Sequence, residues 1–238
     1  MRQTRNLFAA GAIALVAGVF SACGGGSGAA GAANNIPTDG ALGEVPQVVA
    51  QYVPELKKIR EVIFNEASEE EKDKAREEWN ALDKEWQEKV NTALSTIGDK
   101  EIPIEAAEGV NIRPDTNLKL AKGQKLKGID ITVNFETEAT ITDDIKMGDW
   151  PNYKMVAYDT EGKPLGVKRG VIQMDPSAKY QNGCYVKDTK MTIIFWAGNI
   201  SDNPEGWAKL AKVVIMDKTS DAYKQAEEEV KATKEAAK

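Results

Sequence analysis

The chain has 238 residues, with 31 Lys and Arg against 37 Asp and Glu, no His, and a formal net charge of −6. An apolar fraction of 42% is enough for a buried core, and the length allows one domain or two. The lack of His excludes Ser-His-Asp triads, Cys-His pairs, His-ligated zinc and a His general base, and the excess of acid argues against a nucleic-acid partner.

Arg2 and Arg5 form a short positive segment ahead of the uncharged run Leu7 to Phe20. That run has 14 residues, fewer than the roughly 20 a spanning helix needs, so it reads as the apolar part of a signal peptide. It closes in Phe20-Ser21-Ala22-Cys23, followed by Gly24-Gly25-Gly26. Small residues before a Cys at the end of such a run resemble the lipobox of bacterial lipoproteins, with Phe20 standing where Leu is usual. The resemblance implies cleavage before Cys23, a diacylglycerol on its thiol and acylation of the new amine. It further implies a lipid-anchored place in the bacterial cell envelope, with the outer membrane favoured. Two or three acyl chains hold stably where one is marginal, at about 0.8 kcal/mol per buried methylene. Cleavage removes Arg2 and Arg5 and leaves 29 basic against 37 acidic residues, so the body should be repelled by anionic headgroups.

Residues 1–22 are thus expected to be signal, and 23–43 a lipidated Cys with a Gly/Ala/Ser tether of roughly 25 Å reach. With Cys23 acylated, Cys184 is the remaining thiol and no internal disulfide forms; beside Tyr185 it reads as a small buried strand residue. Residues 44–101 read as a helical hairpin. Val45, Val48, Val49, Tyr52, Val53, Leu56, Ile59 and Ile63 lie on one helical face, and Pro54 predicts a break or kink at Val53. Ser68 with Glu71 is a capping box opening a second helix, whose stripe runs Ala75, Trp79, Leu82, Trp86, Val90, Ala93 and Ile97 to a stop at Gly98. Its opposite face carries charges of both signs, the mark of a solvated surface. Trp79 and Trp86, seven apart, are expected in the core.

After Pro103 the apolar period changes from helical to two. Ile129, Ile131, Val133 and Phe135 alternate with polar residues, and further strands are expected at 102–105, 117–120, 153–158, 165–174, 191–196 and 213–216. Short strands of this kind over 102–218 predict an antiparallel β-sandwich, followed by a C-terminal helix over 219–238 with Tyr223, Ala226, Val230 and Ala237 on its apolar side. The fold class is therefore α+β. The hairpin pattern Tyr158-Asp159-x-x-Gly162-Lys163-Pro164-Leu165 resembles, loosely, the immunoglobulin-like modules of bacterial envelope lipoproteins.

No strand–glycine loop–helix pattern cradles phosphate, no metal ligand set is complete, and no cofactor is called for. Asp143-Asp144 and Asp202-Asn203-x-Glu205 read as turns, not calcium loops. A carboxylate pair can hydrolyse glycosides without His, but most acids fall on helical faces, so the chain is expected not to be an enzyme. Aromatics in polar loops are the candidates for ligand contact: Trp150 in Asp-Trp-Pro-Asn, Trp207 after the 199–206 loop, and Tyr180 before Gly183, with folding back over the ends of the sandwich as the favoured reading. Trp196, in an apolar strand, is expected inside. The expected function is a non-catalytic, membrane-anchored envelope lipoprotein with a structural or protein-binding role; the alternative is a tethered glycan-binding module using those aromatics. Its partners would be the membrane through Cys23, and envelope proteins or glycans.

Overall fold

The computed structural model describes residues 33, 35–122, 129, 131–175 and 177–236. Cys23, the signal segment and residues 24–32 of the expected tether lie outside them. The fold is α+β: two N-terminal helices, sheets dominated by antiparallel pairing, and a C-terminal helix.

Helix α1 spans Val45–Phe64 and α2 spans Glu69–Ser95. The capping box forms as expected: Glu71 N donates to Ser68 Oγ at 3.3 Å, and Ser68 N donates to a Glu71 carboxylate oxygen at 2.9 Å. Of the break or kink expected at Val53, the break does not occur: α1 continues through Pro54. An interior proline costs about 3 kcal/mol, but buried apolar side chains lie on both sides of it, from Val45 to Ile59, each worth about 1.5–3 kcal/mol. Trp86 is buried against Tyr52, ring centroids 6.0 Å apart, and the Tyr52 hydroxyl donates to Glu85 at 2.6 Å. Trp79 packs half-buried against the same core.

The body begins earlier than the tether reading placed it. Ala33, Ile36 and Leu42 are buried, and Lys100 Nζ donates to the carbonyls of Thr38 and Gly40 at 3.2 and 3.0 Å. Gly40 lies so close to the Ala208 carbonyl that a Cβ would collide with it.

The strands are β1 (Glu101–Ile102), β2 (Ile104–Ala106), β3 (Ile112–Pro114), β4 (Leu118–Leu120), β5 (Thr132–Ile141), β6 (Ile145–Lys146), β7 (Tyr153–Asp159), β8 (Pro164–Gly166), β9 (Val171–Met174), β10 (Tyr180–Gln181), β11 (Cys184–Tyr185), β12 (Lys190–Gly198) and β13 (Leu210–Asp217). A short helix, α3 (Pro204–Ala208), precedes β13, and α4 (Asp221–Ala236) follows it. One sheet runs β1-β4-β5-β12-β9 with β3 also on β5; a second runs β2-β13-β7-β8; a small third runs β10-β11-β6.

Two expected strands turn out to be divided between sheets. Pro103 separates β1, in the first sheet, from β2, which pairs parallel with β13 in the second. The stretch expected as one strand over 165–174 is β8 in the second sheet and β9 in the first. Between them Lys168 and Gly170 have φ of 60° and 114°, a reversal that carries the chain across the sandwich edge.

A single core cluster joins the hairpin to the space between the sheets, from Leu42, Leu56 and Trp86 to Phe135, Phe195, Val213 and Ile215. The boundary at 101/102 is therefore a change of secondary structure and not a break in the core. α1 lies against α3 and the Ile200–Asp202 turn. On the outer face of the second sheet, α4 buries Tyr223 and Ala226 against Val156, Val214 and Met216. β13 is apolar on both sides because it faces the core on one and α4 on the other. No helix among the described residues is long and apolar enough to cross a membrane.

Gly40→Ala is expected to destabilise the protein by about 1–3 kcal/mol in chemical denaturation, because the Ala208 carbonyl would have to move. Burial, reinforced by Glu85, holds the Tyr52 phenol above its ordinary range, and burial beside Glu227 pushes Tyr223 up to about 12. Both stay protonated in the folded chain where they would ionise unfolded, so the native state binds more protons above pH 10. Both contributions are intact below pH 10; that of Tyr223 is lost as pH climbs through about 12, and that of Tyr52 persists to higher pH. Denaturation midpoints should fall steeply across that window, and less so in Tyr223→Phe.

Candidate functional site: an aromatic ledge on the small sheet

The small sheet is built by an Asn-Gly turn. Gln181 pairs with Cys184, leaving Asn182 and Gly183 as the two-residue loop. Their φ values are 51° and 78°, and a hairpin turn with both central residues at positive φ favours this dipeptide. Tyr180 therefore sits on a strand, not in the loop expected for it. Its cross-strand partner is Tyr185, with ring centroids 5.4 Å apart and planes at 64°. Tyr185 in turn pairs with Ile145 on β6.

After β6 a 3-10 turn, Trp150–Asn152, holds Trp150 5.7 Å from Tyr185 and 6.3 Å from Tyr153. Met147 closes the outer side: its N–H donates to the Gly183 carbonyl, and its sulfur accepts from the Tyr180 hydroxyl at 3.5 Å. Tyr180 is 50% exposed and Met147 58%, while Trp150, Tyr153 and Tyr185 are half-buried beneath them. Two of the three sequence-predicted aromatics, Trp150 and Tyr180, thus meet through Tyr185 in one surface ledge. Tyr185, Tyr153 and Met147 were missed; the Asn182-Gly183 dipeptide between two tyrosines was the signal that could have found the hairpin.

The third predicted residue is elsewhere. Trp207 is 1% exposed, so it offers no loop surface. Asn203 caps α3 by accepting from Gly206 N at 3.0 Å, and Pro204 occupies its first turn. That helix turns Trp207 onto Phe195, 6.5 Å away, under the Arg169 guanidinium, which lies 5.9 Å above the ring. Trp196 is reversed the other way: it was expected inside and is 38% exposed, because Phe195 points inward and its strand neighbour must point out. Cys184 is half-buried in β11.

The acidic turns cap backbone. Asp143 accepts from Asp144 N at 2.9 Å and Asp144 from Lys187 N at 2.8 Å. No group of three or more Cys, Asp or Glu among the described residues is arranged to hold a metal. Asp159, in the hairpin that carried the immunoglobulin-like resemblance, accepts from Glu161 N and Lys163 N. Glu161, exposed on that turn, is held down at about 2 by hydrogen bonds from Lys163 and Lys209. Burial pushes the Asp115 carboxyl up, yet hydrogen bonds from Lys190 and Thr140 and the charges of Lys190 and Arg113 outweigh it, and the net shift is down. Each shifted carboxylate resolved among the described residues is lowered, the opposite of what a general acid needs.

Comparison with protein-family models, curated proteins and solved structures finds no match to this chain.

Burial separates the two aromatic settings energetically. Trp207→Ala should cost about 3–5 kcal/mol of stability, whereas Tyr180→Ala should stay within about 0.5 kcal/mol, both read by urea denaturation.

Proposed function

We propose that this protein is a lipid-anchored, non-catalytic bacterial envelope lipoprotein whose aromatic ledge docks a partner protein away from the membrane. The anchor is Cys23, on the strength of Ser21-Ala22-Cys23 at the end of the Leu7–Phe20 run. The observation that carries the docking role is where the chain enters the body relative to the ledge. Pro37 and Gly40 lie beside Thr160, Ala208 and Lys209, at the Thr160 end of β7. The ledge begins at Tyr153, the other end of that strand. Seven residues of strand put about 20 Å between them, so a body held by its N-terminus turns the ledge outward.

Ring geometry favours a protein over a glycan. Sugar rings stack on one open flat face, whereas the planes here are inclined by 55–74° to one another and capped by a flexible thioether. Tyr, Trp and Met crowded into a knobbed surface is the composition of protein-interface centres. The lowered carboxylates and the lack of His support a non-catalytic role.

Cys23→Ala is expected to move the protein from the membrane fraction to the soluble fraction; sedimentation with membranes regardless would sink the anchor. For the ledge, a photo-crosslinking residue at position 180 is compared with one at 209 in intact cells. A discrete protein adduct from 180, absent from 209 and abolished by Trp150→Ala, is the expected result. Adducts at neither position, together with glycan binding that depends on Trp150, would replace the docking reading with the glycan one.

A further inference from the structure

A cavity of about 340 Å³ opens at the entry end of the body, where α1, the 167–170 crossover, the Ile200–Asp202 turn and α4 converge. Lys57, Arg169 and Lys234 line it from three of these elements. None of the three forms an ion pair with another described residue. Lys57 Nζ reaches only the Ser201 hydroxyl, at 3.4 Å. Arg169 is held by its stack over Trp207, and its Nε is buried with no hydrogen-bond partner. Buried donors are nearly always satisfied, so an orphaned guanidinium nitrogen calls for an explanation. Asp202 is the carboxylate on this lining; its charge acts on Arg169 from beyond ion-pair distance.

Three cations line one cavity against the single carboxylate of Asp202, in a chain whose net charge is −6. An oxyanion in the cavity would answer this excess of positive charge. A guanidinium fork suits carboxylate and phosphate alike, and the cation–π contact with Trp207 holds Arg169 at the cavity. Leu165 and Val230 add an apolar wall. The volume lies at the lower end of the range for small-molecule sites.

We propose that this cavity binds a small ligand carrying a carboxylate or phosphate on a hydroxylated body. Arg169 grips the oxyanion, Lys57 and Lys234 flank it, and Ser201, Asn199 and Asp202 meet the hydroxyls. The site rests on neither the lipid anchor nor the ledge, which lies beyond the far end of β7.

The test titrates the full chain with D-glucuronate and with glycerol phosphate, using D-glucose and glycerol as uncharged counterparts. Heat is followed by calorimetry, and the Arg169 Nε–H signal by nitrogen-edited NMR. At least one anion should bind saturably, move that signal and weaken with added salt, while its uncharged counterpart does neither; which anion binds tells carboxylate from phosphate. Arg169→Gln should lower affinity by at least about tenfold. Because Arg169 also covers Trp207, Lys57→Gln and Lys234→Gln serve as the milder variants, each expected to weaken binding roughly two- to fivefold with the fold intact. Binding by neither anion, equal binding of glucose or glycerol, or affinity unchanged in all three variants would overturn the proposal.

Discussion

The apolar interior shared by the hairpin and the two larger sheets is the constraint on which the rest of the molecule depends. Neither sheet closes alone. The first sheet offers Val133, Phe135, Ile193 and Phe195 inward, the second Met155, Ala157, Val213 and Ile215, and the hairpin adds Leu56, Trp86 and Val90 to the same cluster. Burial of this scale outweighs local preference, which is why α1 runs through Pro54 and why the chain changes sheets within a few residues at Pro103 and at 167–170. The segment before α1 is drawn in as well: Ile36 and Leu42 are buried, and Gly40 is needed where the backbone meets Ala208.

Periodicity made much of this legible. The three-and-four spacing from Val45 to Ile59 and the Ser68–Glu71 box place both N-terminal helices, and Tyr223, Ala226 and Val230 mark the face by which α4 covers the second sheet. Assignment of strands to sheets was not legible, because period two says which residues share a face and nothing about which sheet a strand joins. A run such as Leu165–Met174 carries one apolar pattern across a crossover that is visible only in the positive φ of Lys168 and Gly170.

The tryptophans make the same point one residue at a time. An apolar strand context set Trp196 inside and local rules reverse it, whereas for Trp207 the loop left ligand contact or folding back over the sandwich, and the favoured second outcome holds. Met191, Ile193, Phe195 and Ala197 are the inward parity of β12, so Trp196 is bound to face out. Asn203-Pro204 is a helix start, so the residue after Gly206 is turned toward the core. The Arg169 cavity left no mark of its own in the sequence, since its residues come from positions as far apart as 57 and 234.

Order along β7 links these parts. The second sheet is covered by the core on one face and α4 on the other, so polar and aromatic groups are exposed mainly at its two ends. At one end the chain comes in beside Thr160, and the cation-lined cavity lies against β8. At the other, Trp150 and Tyr153 lead into the Asn182-Gly183 hairpin and the ledge. β7 is a central strand between β13 and β8, and its seven residues set about 20 Å between the entry of the chain beside Thr160 and the aromatic cluster that begins at Tyr153.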